Sequence, residues 1–221
     1  MIAGLHRPAP EAAAVPAAWP ALAGLRLTRL YLVSRRVPAA LGVLAGLGGV
    51  LAAALHWHWS MAGGAAAQQL VPLAVETGAA AVIAVTTYGP FGEPERATGR
   101  WLPYLRLGAA VVLTAAAVGA LAAGATAGYL PGGTLAMLRN LAGLTGIGLL
   151  SAAAAGGALA WAGPMAYLLV AESALAAGWT TPWTWPARPP HDLGAALCAA
   201  VVFTAGTAII TMRGSRDRFS E

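Results

Sequence analysis

Four charged side chains within eight residues, Glu93, Glu95, Arg96 and Arg100, lie in the run Gly92-Glu93-Pro94-Glu95-Arg96-Ala97-Thr98-Gly99-Arg100, between two long apolar stretches. Such a cluster must lie outside hydrocarbon. Its chemistry is recognition: paired acidic and basic groups offered to a soluble partner. Pro94 suits the first position of a helix, the two glutamates suit the positive end of its dipole, and Gly99 suits its terminus. The expected element is a helix of one or two turns. A helix that short is unstable alone in water, so the membrane surface or a partner must hold it. The plainer alternative is a solvated charged loop.

Two more carboxylates, Glu76 and Glu172, stand inside apolar stretches. A charge at the bilayer centre costs about 2.5–3.5 kcal/mol on insertion scales, so such groups face the protein interior or water. They either line a substrate route or proton relay, or hydrogen-bond neighbouring helices, with Thr77, Thr145, Ser151 and Ser173 available. His56, His58 and His191 are the remaining metal-ligand types. On a helix, however, His56 and His58 point roughly 200° apart, so no metal or haem site is expected. Cys198 is the single cysteine; it excludes a disulfide within the chain and reads as a small buried apolar residue.

No Ser/His/Asp or Cys/His arrangement is legible, and no catalytic residue is assigned. The acidic pair of the cluster resembles the start of an intramembrane-protease glutamate motif, but no matching intramembrane histidines follow. All 13 basic residues are arginine, so the chain has no G-x-x-x-x-G-K-[ST] phosphate loop and is not itself a P-loop ATPase.

The elements that carry these residues are set by composition. The chain has 221 residues, 58% hydrophobic and 10% charged, and a mean hydropathy of +0.68. Globular domains carry about 25% charged residues, so the solvent for this surface is a bilayer. About 20 apolar residues cross its core, which gives six candidate spans: Val37–Leu55, Leu70–Tyr88, Leu107–Ala125, Asn140–Ala162, Pro164–Trp179 and Leu193–Met212. Backbone satisfaction in lipid makes each a helix. The fourth and fifth are nearly fused, with Gly163-Pro164 as punctuation. The expected fold is therefore an all-α membrane protein, with a six-helix domain over residues 37–212.

Eleven of the thirteen arginines fall before the first span, between the second and third, or after the last; Arg139 and Arg188 fall on the other side. The positive-inside rule then places both termini and the charged connection, residues 89–106, in the cytoplasm, and the abundance of Ala and Gly suggests a GC-rich bacterial genome and so a bacterial inner membrane. This distribution explains the sequence pI near 10.1 without nucleic-acid binding. Residues 1–16 read as a loose tail with no signal-peptide core, and 213–221 as a second tail. Residues 17–36 mix Leu22, Leu25, Leu30 and Leu32 with Arg26, Arg29, Arg35 and Arg36, the pattern of an amphipathic helix on the membrane surface. On the outer side, Trp57, Trp59, Trp179, Trp183 and Trp185 read as an interfacial aromatic belt, and residues 179–192 form a proline-rich external loop. Gly42 and Gly46 make a small-xxx-small step suited to a close helix seam, within the chain or in a dimer.

An amphipathic N-terminal segment, six spans and a short Glu/Arg helix between the second and third resemble the permease subunit of ABC-2-type transporters. The phrase Gly89-Pro90-Phe91-Gly92-Glu93-Pro94-Glu95-Arg96 is similar to the first cytoplasmic loop of actinobacterial permeases of that kind. The resemblance covers most of the chain by layout and this loop by motif. It implies a homo- or heterodimer of six-span units exporting a hydrophobic or amphipathic substrate. Each unit would dock an ABC ATPase that binds ATP and magnesium, with no cofactor in this chain. Glu93, Glu95, Arg96 and Arg100 would contact the motor, and Glu76 and Glu172 would line the route. Two rivals stand beside this reading: a non-transporting membrane scaffold or regulator, and a secondary transporter driven by protons through Glu172.

Overall fold

A computed structural model gives the fold for residues 36–57, 65–86 and 102–213. The N-terminal tail, the expected surface helix up to Arg35, the tail from residue 214 and most of the 89–106 connection lie outside the described residues. The described residues contain six α-helices and no strand. The helices are α1 Val37–His56, α2 Ala65–Thr86, α3 Leu102–Ala125, α4 Gly133–Ala155, α5 Ala162–Ala177 and α6 Leu193–Arg213. Short 3₁₀ turns at Gly157–Leu159 and Trp185–Ala187 precede α5 and α6. Six segments are long and apolar enough to cross a membrane, the fifth being α5 with its preceding turn. The chain is thus an all-helical, multi-pass membrane protein.

The break between the fourth and fifth helices falls earlier than Gly163-Pro164. Helix α4 begins at Gly133 and stops at Ala155, because Gly156 adopts φ 89° and ψ 161°, a region essentially closed to residues with a Cβ. Gly163 and Pro164 fall in the first turn of α5, where proline's missing N–H costs nothing. The Ser151 side chain of α4 occupies the place a Cβ on Gly163 would take, which closes this hairpin tightly.

Helix α4 is the centre of the bundle. It packs most extensively on α6, then on α2, and it also meets α5, while α1 packs chiefly on α3. Leu44, Leu51, Ile83, Leu113 and Leu121 fill the space between the first three helices, joined by Met137 and Leu141 of α4. The close seams are made by glycine, but not by Gly42 and Gly46, whose added Cβ atoms would meet nothing within 4 Å. Gly146 and Gly206 close the α4–α6 seam: a Cβ on Gly146 would stand 2.5 Å from the Val202 carbonyl oxygen, and one on Gly206 would stand 2.5 Å from the Gly146 oxygen. Gly48 and Gly124 do the same between α1 and α3. Without a hydrophobic drive between helices in lipid, this close approach supplies the dispersion contacts that hold them.

The aromatic belt is also corrected at one position. Trp57, Trp179 and Trp183 are exposed, as an interfacial role requires, but Trp185 is 2% exposed. Its ring stacks on Tyr167 at 4.6 Å and fills the space left open by Gly143 of α4. Trp185 is therefore part of the core and pins the α5–α6 loop to the bundle.

Candidate functional site

Four residues of α2, Gln69, Pro72, Leu73 and Glu76, recur at i, i+3, i+4 and i+7 and so share one face. That face forms a wall of a cavity of about 430 Å³. Ala136 and Asn140, four apart on α4, form the facing wall, while Tyr129, Pro131 and Gly132 of the α3–α4 connection and Pro186–Pro190 of the α5–α6 loop close its mouth. The cavity lies toward the end of the bundle that holds the α3–α4 and α5–α6 connections.

Pro72 lies inside the continuous helix α2, one turn before Glu76. It has no N–H to donate to the preceding turn. Glu76 is 3% exposed and Asn140 is 8% exposed. The Asn140 side chain is the hydrogen-bond partner of the Glu76 carboxyl, but Oε2 of Glu76 and Oδ1 of Asn140 have no partner. Three of the four hydroxyls available to the intramembrane carboxylates are turned elsewhere. Thr77 donates to the Leu73 carbonyl at 2.7 Å, Ser151 to Ile147 at 2.9 Å and Ser173 to Leu169 at 3.0 Å, all within their own helices; the Thr145 hydroxyl is buried without a partner.

Arg139 is more than a topology marker. It is 6% exposed and reaches from α4 to the α5–α6 loop, where Nη1 donates to the Pro189 carbonyl at 2.7 Å and Nη2 to the Arg188 carbonyl at 3.0 Å. Its guanidinium is within electrostatic range of Asp192 and Glu76, but its terminal nitrogens hydrogen-bond the loop. The same loop is tied by the Tyr167 hydroxyl, which donates to the Trp183 carbonyl at 2.7 Å. Arg188 pairs with Asp192 through Nη2 and through Nε at 2.8 Å. The other Asp192 oxygen accepts the Ala195 N–H at 2.8 Å, an N-cap for α6. The Ala195 amide, with the Arg188 guanidinium next, holds the Asp192 carboxyl below its ordinary value.

The two intramembrane carboxylates are not brought together. Glu172 is half-buried on α5 and is not among the residues lining the Glu76 cavity. Glu93, Glu95, Arg96 and Arg100 lie outside the described residues. His56 and His191 are exposed, and among the described residues no cluster of metal-ligand types exists. Sequence reasoning missed Asn140 and Arg139 as site residues. The available signal was a polar pair at the head of an otherwise apolar α4, together with the one-face recurrence of Gln69, Pro72 and Glu76.

Chemically, the site offers a floor of unpartnered acceptors under a rigid, proline-lined mouth. Comparisons with protein-family models, with curated proteins and with solved structures return no match for this chain.

Proposed function

We propose that this chain is a transport subunit: the membrane-spanning permease half of an ABC-type exporter whose ATPase is a separate polypeptide. The observation that carries the reading is the course of α2. Its first half supplies Gln69, Pro72 and Glu76 to the cavity, and its other end at Thr86 runs on toward the charged connection. A partner that moves the connection pulls on the helix that forms the cavity wall. ATP binding would favour one arrangement of the helices by binding it more tightly, the requirement for any ligand-driven change. The choice of an ABC ATPase as motor rests on the sequence of the connection, with Glu93, Glu95, Arg96 and Arg100 as its contacts. Both termini and this connection would face the cytoplasm of a bacterial inner membrane, and a second permease copy would complete the unit.

A proton-driven transporter is the second reading. It would fall on Glu76 rather than Glu172, because Glu76 is the carboxylate at the cavity. The scaffold reading leaves the cavity without a role.

Co-purification tests the proposal. The chain, isolated in mild detergent from its native host, is expected to bring an ATP-hydrolysing companion. Arg96→Glu is expected to lower hydrolysis at least tenfold while the chain still inserts. Isolation with no such companion, or labelling of a cysteine at position 96 by a membrane-impermeant reagent from outside intact cells, would overturn it.

A further inference from the structure

We propose that the cavity at Glu76 is a binding site for an organic ammonium, a protonated primary or secondary amine on a compact apolar body. The inference rests on reading this cavity as the substrate's place in the transporter, and it adds the chemistry that the place selects.

Three observations point the same way. First, the groups left unpartnered at the cavity, Glu76 Oε2 and Asn140 Oδ1, are both acceptors. Buried polar groups are almost always hydrogen-bonded, and an exception calls for an explanation. Here the missing element is a donor. An ammonium carries several N–H donors and no acceptor, so one group serves both oxygens.

Second, a carboxylate buried to this degree needs an opposite charge. The nearby protein cation acts on it through space, without a hydrogen bond: Arg139 gives Nη1 and Nη2 to the loop carbonyls, and its buried Nε has no partner. Arg188, also at the mouth, is paired with Asp192. Neither arginine hydrogen-bonds Glu76, whose Oε2 stays open to a donor from outside.

Third, the remaining lining suits the rest of such a ligand. Pro72, Leu73, Pro131 and Pro189 present stiff apolar walls, and Tyr129 at the rim is 71% exposed, an aromatic face available for a passing cation. A volume near 430 Å³ falls in the range of small-ligand pockets, which combine apolar walls with a few placed polar groups.

The test uses the full chain in phosphatidylcholine nanodiscs, without any ATPase, with empty discs subtracted. Phenethylammonium and its neutral counterpart 2-phenylethanol are the probes, measured by equilibrium dialysis. The expected result is amine binding at least tenfold tighter than alcohol binding, with the preference lost in Glu76→Gln. Equal affinities for the two probes, binding of neither, or a preference that survives Glu76→Gln would overturn the inference. The comparison of probes on the unaltered chain decides the matter even if Glu76→Gln folds poorly. Because no motor is present, failure here leaves the ATPase reading standing, and failure to find an ATPase leaves this site standing.

Discussion

Adding one methyl group at Gly146 tests whether the α4–α6 seam holds the bundle. In Gly146→Ala the new Cβ would meet the Val202 carbonyl oxygen at 2.5 Å and the Phe203 Cα and N at 2.6 Å. Ordinary van der Waals contact begins at 3.4 Å, so the helices must part by about 0.9 Å. All three atoms are backbone, and no rotamer change relieves the clash. Overpacking of this kind costs about 1–3 kcal/mol. Intrinsic helix propensity favours alanine over glycine by about 1 kcal/mol and offsets part of that.

The matched control is Gly42→Ala, which gains the same propensity and meets nothing within 4 Å. Gly146→Ala is therefore expected to lie about 1–3 kcal/mol below Gly42→Ala. Reversible unfolding in mixed dodecylmaltoside and SDS micelles, followed by far-UV circular dichroism, measures the difference. If the two variants unfold together, close backbone approach does not hold α4 to α6. If Gly42→Ala proves the weaker, the outward face of α1 is a seam between copies instead.

Two further predictions concern the α5–α6 loop. Arg139→Met removes two hydrogen bonds from a charged donor, each worth about 1.5–3 kcal/mol. Amide exchange at Ala187, Arg188 and Asp192, whose N–H groups bond within the loop, is expected to accelerate at least tenfold, and unchanged exchange would show that the clasp is not what orders the loop. The clasp at Asp192 is expected to be acid-labile. Its folded-state pKa lies below the ordinary 3.8, so its contribution is present above that value and is lost as pH falls through the depressed one. Exchange at Ala195 is thus expected to show no contribution from Asp192 titration between pH 8 and 5, and to gain a step in strong acid that Asp192→Asn abolishes.

The helices were legible because lipid demands one thing of every span, a long apolar run, and α1, α3 and α6 match their expected bounds at one end or both. The start of α4 was not. Arg139 and Asn140 looked like the polar edge of a span, whereas they sit in its second turn, covered by the α5–α6 loop. Hydropathy measures a residue's cost in lipid and is blind to a loop that folds back to shield it. Trp185 was misread for the same reason: an interfacial tryptophan and one inserted beneath a loop have the same neighbours in sequence. Glu76 was visible as an oddity. Its pairing with Asn140 required α2 to lie against α4, a contact between distant parts of the chain that no local pattern encodes. Gly42 and Gly46 make no seam within the chain, because in a chain so rich in small residues, spacing alone does not tell which stripe meets a neighbouring helix of the same bundle.

The hydroxyls along the helices have a mechanical meaning. Thr77, Thr114, Ser151, Ser173 and Thr207 each bond a carbonyl of their own helix, so these side chains fasten no helix to the next. Surfaces joined by glycine and alanine grip by fit, with no oriented bond to rupture when one rod shifts past another. A short axial slide trades one set of shallow contacts for a similar set, whereas prying the rods apart loses them all. At the Gly146–Gly206 seam, packing of this sort permits translation of one rod along the other.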